Sequence, residues 1–565
     1  MNDRSRLNIF HNLIIVMFAV ILLRLAFLQL VQYSFFNERS YDQHTSEITL
    51  TADRGDIYDR NGDLLATSID TGSVYVRPKA IKENKAMVES ELIRLFPDKA
   101  KLIKEKFASG SQFWLKRKID KGLAMKVREL KCTAIDIWPE KKRIYPKGRL
   151  ASHLIGFAAM DNIGREGIEC GFDSYLKGTE GKYIIEKDVK GRQIATGSLR
   201  EIQAPTEGMN VYLTIDSSIQ YVAERELKKA VDQYKPESAS VMVMDVKTGE
   251  ILAVASWPDY DPNDRSKVKS SVFRLIPIVD IYEPGSTFKL ITAAAGLDEG
   301  LVQTDTVIPC PNTLMIGKKP ITNSHTVKYF EKPFKTLTDV IAESINTGTA
   351  HVGLLLGQQR FLNHIKAFGF GEKTGIEYPG EGKGIVAKDA SRWSVGDMAR
   401  STYGQSIAVT QLQMLCAINS IANGGVRVKP RLIKKIESVD QDIVRSTYTE
   451  KLNKVISGET VNKMTEIMKG VVTMPHGTGH KAKMAQYTCA VKTGTAQKAS
   501  RGVYLGNNNY IASIIGFAPA DNPRISMIVM LNHPIGSIWG AVVAAPVFKN
   551  TGEFALRYLN EKPDM

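Results

Sequence analysis

Apolar residues follow three different patterns along this chain. From Leu13 to Val31 they form a stretch of 19 residues broken only by Arg24 and Gln29. A helix of that length spans about 28 Å, close to the thickness of a bilayer's hydrocarbon core. The next residues, Gln32-Tyr-Ser-Phe-Phe36, are bulky and offer no small-residue cleavage site, so a retained anchor is expected rather than a removable signal peptide. From residue 35 to about 205, short β-like runs alternate with charged helical segments. Ile202-Gln-Ala-Pro-Thr-Glu-Gly208 has the composition of a linker.

Beyond it the pattern changes again. Val211–Ile215 reads as a strand and Ser217–Tyr234 as a long helix. Ser240–Asp245 and Ile251–Ala255 read as the arms of a hairpin. Leu290–Leu297 is apolar enough for a buried core helix, and Thr336–Glu343 and Thr347–Leu354 carry helical patterns. Tyr487–Val491, Tyr510–Gly516 and Ile525–Met530 are strand-like. Helices flanking an antiparallel sheet drawn from distant parts of the chain make an α+β fold.

With 565 residues the chain has room for two or three domains. Its net charge of +15 does not point to nucleic acid, because no basic stripe is interleaved with stacking aromatics. Lysines crowd the region from Lys79 to Lys147, which suits either a face against anionic lipid or wall polymer or a plain solvated surface. Cysteines 132, 170, 310, 416 and 489 form no C-x-x-C, so neither a zinc site nor a disulfide framework is expected. His476 and His480 are four apart, but they lie in a Gly-rich loop and read as structural or surface residues. No metal or organic cofactor is expected. Arg4 and Arg6 ahead of the apolar stretch favour a cytoplasmic N-terminus.

The chemistry concentrates at Tyr282-Glu-Pro-Gly-Ser-Thr-Phe-Lys-Leu290. On a helix, Ser286 and Lys289 stand about one turn apart on one face. A serine hydroxyl needs an adjacent base, and a lysine serves as one when burial or a neighbouring cation lowers its pKa. Pro284 and Gly285 are expected to start the helix at the serine, beside free backbone N–H groups able to hold an oxyanion. Ser266 and Lys269 repeat the S-x-x-K spacing, but within a charged run rich in turn formers, which reads as a solvated loop.

Two further motifs follow. Ser344-Ile-Asn346 is the only S-x-N in the sequence, 58 residues after Ser286; alone it equally fits a helix junction capped by polar side chains. K-T-G occurs three times. Lys247-Thr-Gly249 joins the hairpin arms, and Lys373-Thr-Gly375 reads as a loop. Lys492-Thr493-Gly494-Thr495 instead continues the apolar run that ends at Val491, and only this copy has a hydroxyl in fourth place. A cation, hydroxyls and a glycine that admits a close backbone suit a peptide carboxylate.

In this order, S-x-x-K, S-x-N and K-T-G-T resemble the penicillin-binding protein and serine β-lactamase superfamily. Arg54–Gly62, Gly164–Glu169, Thr214-Ile-Asp216 and Tyr403-Gly-Gln405 are similar to signatures of its class B members, most like the division (septal) branch. Val491 departs from the glycine that many relatives carry before the third motif. The resemblance implies a cytoplasmic tail at 1–12, an inner-membrane anchor at 13–33, a pedestal at 34–205 and an extracytoplasmic transpeptidase domain at 210–560. It implies cross-linking of peptidoglycan stem peptides, inhibition by β-lactams, and partners among division proteins that include a polytopic lipid-II glycan polymerase. Arg24 would face such a partner or snorkel to the headgroups. By the same resemblance, Ser286 attacks the penultimate carbonyl of D-Ala-D-Ala and Lys289 accepts its proton. Ser344 relays a proton to the leaving D-alanine, and Asn346 orients the acyl group. Lys492, Thr493 and Thr495 receive the carboxylate. The N–H groups of Ser286 and Thr495 form the oxyanion hole, and a neighbouring stem supplies the acceptor amine. An elongation or sporulation enzyme, a D,D-carboxypeptidase, a β-lactamase-like hydrolase and a non-catalytic scaffold are the remaining alternatives.

Overall fold

The computed structural model describes residues 3–50, 52–186, 199–317, 319–323, 333–497, 499–500, 503–504 and 509–565. Residues 1–2 of the expected tail and 187–198 of the expected pedestal lie outside them. The chain separates into two compact units, Met1–Asp53 with Gly178–Gly208, and Arg54–Lys177 with Met209–Met565.

In the first unit, a helix runs from Asp3 to Ala26 and continues as a π-helical turn, Phe27–Val31. Its segment Leu7–Val31 is long and apolar enough to cross a membrane, with mean hydropathy 2.7. A second helix, Tyr33–His44, leads into Thr45–Leu50, which pairs antiparallel with Gly181–Glu186. That strand pairs in turn with Leu199–Gln203, and Thr206 bridges to Thr179. The segment Ile202–Gly208, expected as a linker, is therefore largely tied into this sheet. Its turn formers end a strand instead of freeing the chain.

The second unit holds most of the core. In chain order its principal elements are α1 (Ser217–Tyr234), β1 (Ser238–Asp245), β2 (Ile251–Trp257), α2 (Lys289–Asp298), α3 (Leu337–Ala342) and α4 (Asn346–Ala367). They continue with α5 (Gln411–Ala422), α6 (Gly458–Thr473), β3 (Ala490–Gln497), β4 (Tyr510–Ala518), β5 (Ile525–Asn532) and α7 (Ala545–Tyr558). The strands form an antiparallel sheet in the order β2-β1-β5-β4-β3. In β1, seven consecutive residues from Ala239 to Asp245 are buried, so both faces of the sheet are covered. Successive side chains on β5 show the two layers: Ser526 Oγ donates to Asn419 on α5, whereas the Met527 methyl packs at Gly552 on α7. Helices α1 and α7 cover one face, and α5 and α6 the other.

Local signals fix the helix ends. The Asp216 carboxylate caps α1 by accepting from the N–H groups of Ser218 and Ile219. Thr336 with Asp339, and Thr410 with Gln413, form capping boxes for α3 and α5. The strand expected at 211–215 is Asn210–Leu213. It lies parallel to Ile57–Tyr58 and antiparallel to Ile433–Glu437, within a second sheet that also contains Leu64–Val76, Phe113–Ile119 and Ile135–Ile144.

Candidate active site

Ser286 does not open an α-helix. Gly285–Phe288 is a 3-10 turn, and α2 begins at Lys289. The cause is steric. Gly285 has φ +58°, and its N–H donates to the Gly404 carbonyl at 3.1 Å. A Cβ there would lie 2.7 Å from the Ala496 Cβ on β3. Only glycine fits a turn wedged between the Tyr403–Gln405 segment and the edge of the sheet. Because 3-10 geometry eclipses residues three apart, Ser286 and Lys289 remain aligned.

Lys289 is fully buried, and its ammonium donates to the Ser344 carbonyl at 2.5 Å and to the Ser344 hydroxyl at 3.1 Å. Burial first, and then the nearby Lys492, hold its pKa well below the ordinary 10.5. Ser344 sits between α3 and α4 at φ +62°, a left-handed conformation that is costly for a non-glycine residue. The Lys289 bond to its carbonyl helps hold that geometry. The Asn346 side-chain amide donates to the Thr322 carbonyl at 2.8 Å, so this N–H is directed to the strand Lys319–Thr322.

Lys492 is fully buried on β3 and donates to the Thr493 carbonyl at 3.0 Å; burial pushes its pKa down to about 7. At Gly494 a Cβ would lie 2.5 Å from Ser513 Oγ and 3.0 Å from the Thr287 methyl, so strand and serine turn approach as closely as backbone allows. Above these groups opens a cleft of about 290 Å³, lined by Ser286, Ser344, Thr478, Thr493, Thr495 and the Trp539–Val542 turn. The sequence-predicted hydroxyls thus meet in one cavity, and Lys289 bonds to one of them, Ser344.

Two parts of the lining escaped the sequence reading. Thr493 Oγ1 donates to Thr478 Oγ1 at 2.9 Å. Thr478 is flanked by Gly477 and Gly479, where a Cβ would meet the Val471 carbonyl at 2.4 Å and 3.1 Å. A hydroxyl between two glycines was the available signal, but only the long-range bonds of the Thr478 N–H and hydroxyl to the Ala342 carbonyl place it at the cleft. Gly540 lets the Trp539 turn cover β3, since a Cβ there would lie 2.6 Å from the Gly494 carbonyl.

The decoys lie elsewhere. Ser266 Oγ donates to the Asp264 carboxylate at 2.8 Å in an exposed turn. The Asp245 carboxylate accepts from the N–H groups of Lys247 and Thr248 in the β1–β2 connection. Thr374 is held by Glu381 at 2.6 Å.

A family model described as the penicillin binding protein transpeptidase domain matches residues 239–553, and one described as the penicillin-binding protein dimerisation domain matches 49–213. Stage V sporulation protein D of Bacillus subtilis is 34% identical, over 97% of this chain and 85% of its own length. The probable peptidoglycan D,D-transpeptidase PenA of Neisseria meningitidis is 31% identical, over 100% of this chain and 94% of its own. Peptidoglycan D,D-transpeptidase FtsI of Escherichia coli is 31% identical, over 98% and 91%. Among solved structures, penicillin binding protein 3 of Mycobacterium tuberculosis, complexed with aztreonam, aligns with a TM-score of 0.71 at 27% identity, covering 92% of this chain and 98% of that one. By these matches along nearly its whole length, the chain belongs to the class B penicillin-binding proteins of the division type, a family of peptidoglycan D,D-transpeptidases.

Proposed function

We propose that Ser286 is the acyl-forming nucleophile of a septal D-Ala-D-Ala transpeptidase. The observation that carries this reading is a cleft lined by Ser286 and Ser344, with a buried lysine, depressed toward its neutral form, bonded to Ser344. Ser286 Oγ attacks the penultimate carbonyl and its proton passes to Lys289. The N–H groups of Ser286 and Thr495 stabilise the oxyanion, at about 3–4 kcal/mol per donor in comparable sites. The Lys289–Ser344 hydrogen bond supplies a path for that proton to the departing D-alanine nitrogen. The acceptor amine of a neighbouring stem then attacks the ester, forming the cross-link and releasing Ser286. Asn346 orients the acyl group. The hydroxyls of Thr493 and Thr495, with Gly494 clearing the approach, contact the carboxylate. Lys492 adds positive potential beside them. The test is intact-mass and peptide mapping after brief exposure to labelled penicillin. A stable adduct on Ser286 supports the reading; label on Ser266 or rapid release of penicilloate overturns it.

The lysine pair leads to an opposed prediction for activity and stability. Lys492→Met is expected to slow penicillin acylation at least about ten-fold, because a buried positive charge beside the carboxylate-binding threonines is lost. Lys247→Ala and Lys373→Ala should leave the rate unchanged. The same Lys492→Met protein should melt higher than wild type at pH 6. Its folded pKa lies below the unfolded one, so the buried ammonium destabilises the fold, fully below about pH 7, and the penalty is relieved as pH rises from there toward the ordinary 10.5. Equal rate losses at all three lysines would remove the special role of β3.

We assign 34–205 to a pedestal and 210–560 to the transpeptidase domain, with Leu7–Val31 as a single inner-membrane span that leaves the catalytic domain outside the cytoplasm. The natural partners are the lipid-II glycan polymerase and other division proteins. Stage V sporulation protein D among the relatives favours sporulation as the second reading. Depletion that blocks septation, rather than spore cortex formation, selects the division role.

A further inference from the structure

The strands Leu64–Val76, Phe113–Ile119 and Ile135–Ile144 carry a separate small core on one face, built on Val74, Val76, Phe113 and Leu115. Their opposite face leaves two large rings in solvent. Tyr75 pairs with Trp114 on one side and Asp136 on the other, and Ser73 pairs with Trp138. Directly paired residues project from the same face of a sheet, so these aromatic rings share one surface. Trp114 is 45% exposed and Trp138 54% exposed. The Tyr75 and Trp114 rings meet edge to face at 5.0 Å.

Two ion pairs border these rings. Arg77 pairs with Asp136 at 2.9 Å, and Arg117 makes two 2.9 Å bonds to Glu140. A protein partner covering the face would have to desolvate both pairs, at a cost that ion pairing repays poorly. A neutral ligand with flat C–H faces and many hydroxyls fits better. It stacks on the exposed rings and exchanges hydrogen bonds with guanidinium donors and carboxylate acceptors that stay paired.

We propose that this face binds the glycan backbone of peptidoglycan, holding wall polymer beside the enzyme that joins its peptides. The inference rests on the family assignment for the identity of the polymer. Engaging the glycan at one site raises the effective concentration of its stem peptides at the other.

The test uses the full-length protein in detergent, with insoluble poly-N-acetylglucosamine, a neutral polymer, for co-sedimentation and an N-acetylglucosamine oligomer for fluorescence titration. Wild type should bind both. Trp114→Ala combined with Trp138→Ala should weaken binding at least about ten-fold. The more conservative Trp138→Tyr should retain part of it. Penicillin acylation of Ser286 should be unchanged in each variant, which separates failure of this proposal from failure of the catalytic assignment. Absence of glycan binding by wild type, or undiminished binding by the double variant, overturns the proposal. A groove of about 570 Å³ beside Trp138 carries Arg128 and Lys131. Loss only on replacing those two cations would assign the face to an acidic partner and equally overturn it.

Discussion

Replacing Ser286 by alanine is expected to cut the rate of penicillin acylation by at least about 10³-fold and to abolish the covalent adduct. The Ser344 and Thr493 hydroxyls beside it are already engaged. Ser344 already accepts from Lys289 through both its carbonyl and its hydroxyl, and Thr493 donates to Thr478. The control is Ser266→Ala, which keeps full labelling because that hydroxyl is spent on Asp264 in an exposed turn. Misfolding will not mimic the result. Ser286 is only partly buried, and removing its hydroxyl is expected to change stability by about 1 kcal/mol or less. An intact-mass spectrum and a melting curve on the same sample therefore distinguish a lost nucleophile from a lost fold.

Much of this site was legible because its chemistry is local. Ser286 and Lys289 need only one turn between them, and the α1 boundaries at Ser217 and Tyr234 follow from apolar periodicity and the Asp216 cap. The choice of Lys492 among three copies also rested on local context, a strand against two loops. What the sequence did not disclose depends on contacts far along the chain. The 3-10 turn follows from Gly285 pressing on Ala496 and Gly404, residues more than a hundred positions away. Lys289 reaches the Ser344 carbonyl as well as its hydroxyl, and Thr478 is placed by its bonds to the Ala342 carbonyl, 136 positions away. Lys492 was expected to meet the carboxylate directly; in the structure it is fully buried and bonds the Thr493 carbonyl, and the threonines line the cleft.

The signatures recognised outside the catalytic motifs have a physical basis that their spelling hid. Arg54 donates to the Glu169 carboxylate at 2.6 Å and to Asp173 at 2.7 Å, so the Arg54–Gly62 and Gly164–Glu169 stretches lock together. Asn61 reaches Asp216 at 2.9 Å, and the Asp59 carboxylate accepts from the Ser217 N–H at 3.0 Å, which ties the first stretch to Thr214–Asp216. Tyr403–Gln405 supports the serine turn through Gly404. These residues position the elements that build the site, and none of them lines the cleft.

That reading gives the second large effect. Glu169→Gln should destabilise the protein by about 3–5 kcal/mol, because Arg54 and Arg143 would be left buried without their shared carboxylate. Burial alone would raise the Glu169 pKa, but Arg143 and Arg54 outweigh it and hold the carboxyl below the usual 4.5. A depressed folded-state pKa adds stability above the unfolded value, and this is lost as pH falls through the folded one. Wild type should therefore lose stability steeply on acidification below about pH 4.5, whereas Glu169→Gln should start lower and respond less. Urea titrations at pH 7 and pH 4 measure both quantities. A loss below about 1 kcal/mol at pH 7 would place the pair among solvent-screened surface contacts and refute its role as the buried junction. Folded Glu169→Gln protein should still acylate at Ser286, because the network shapes the scaffold and touches no reacting atom.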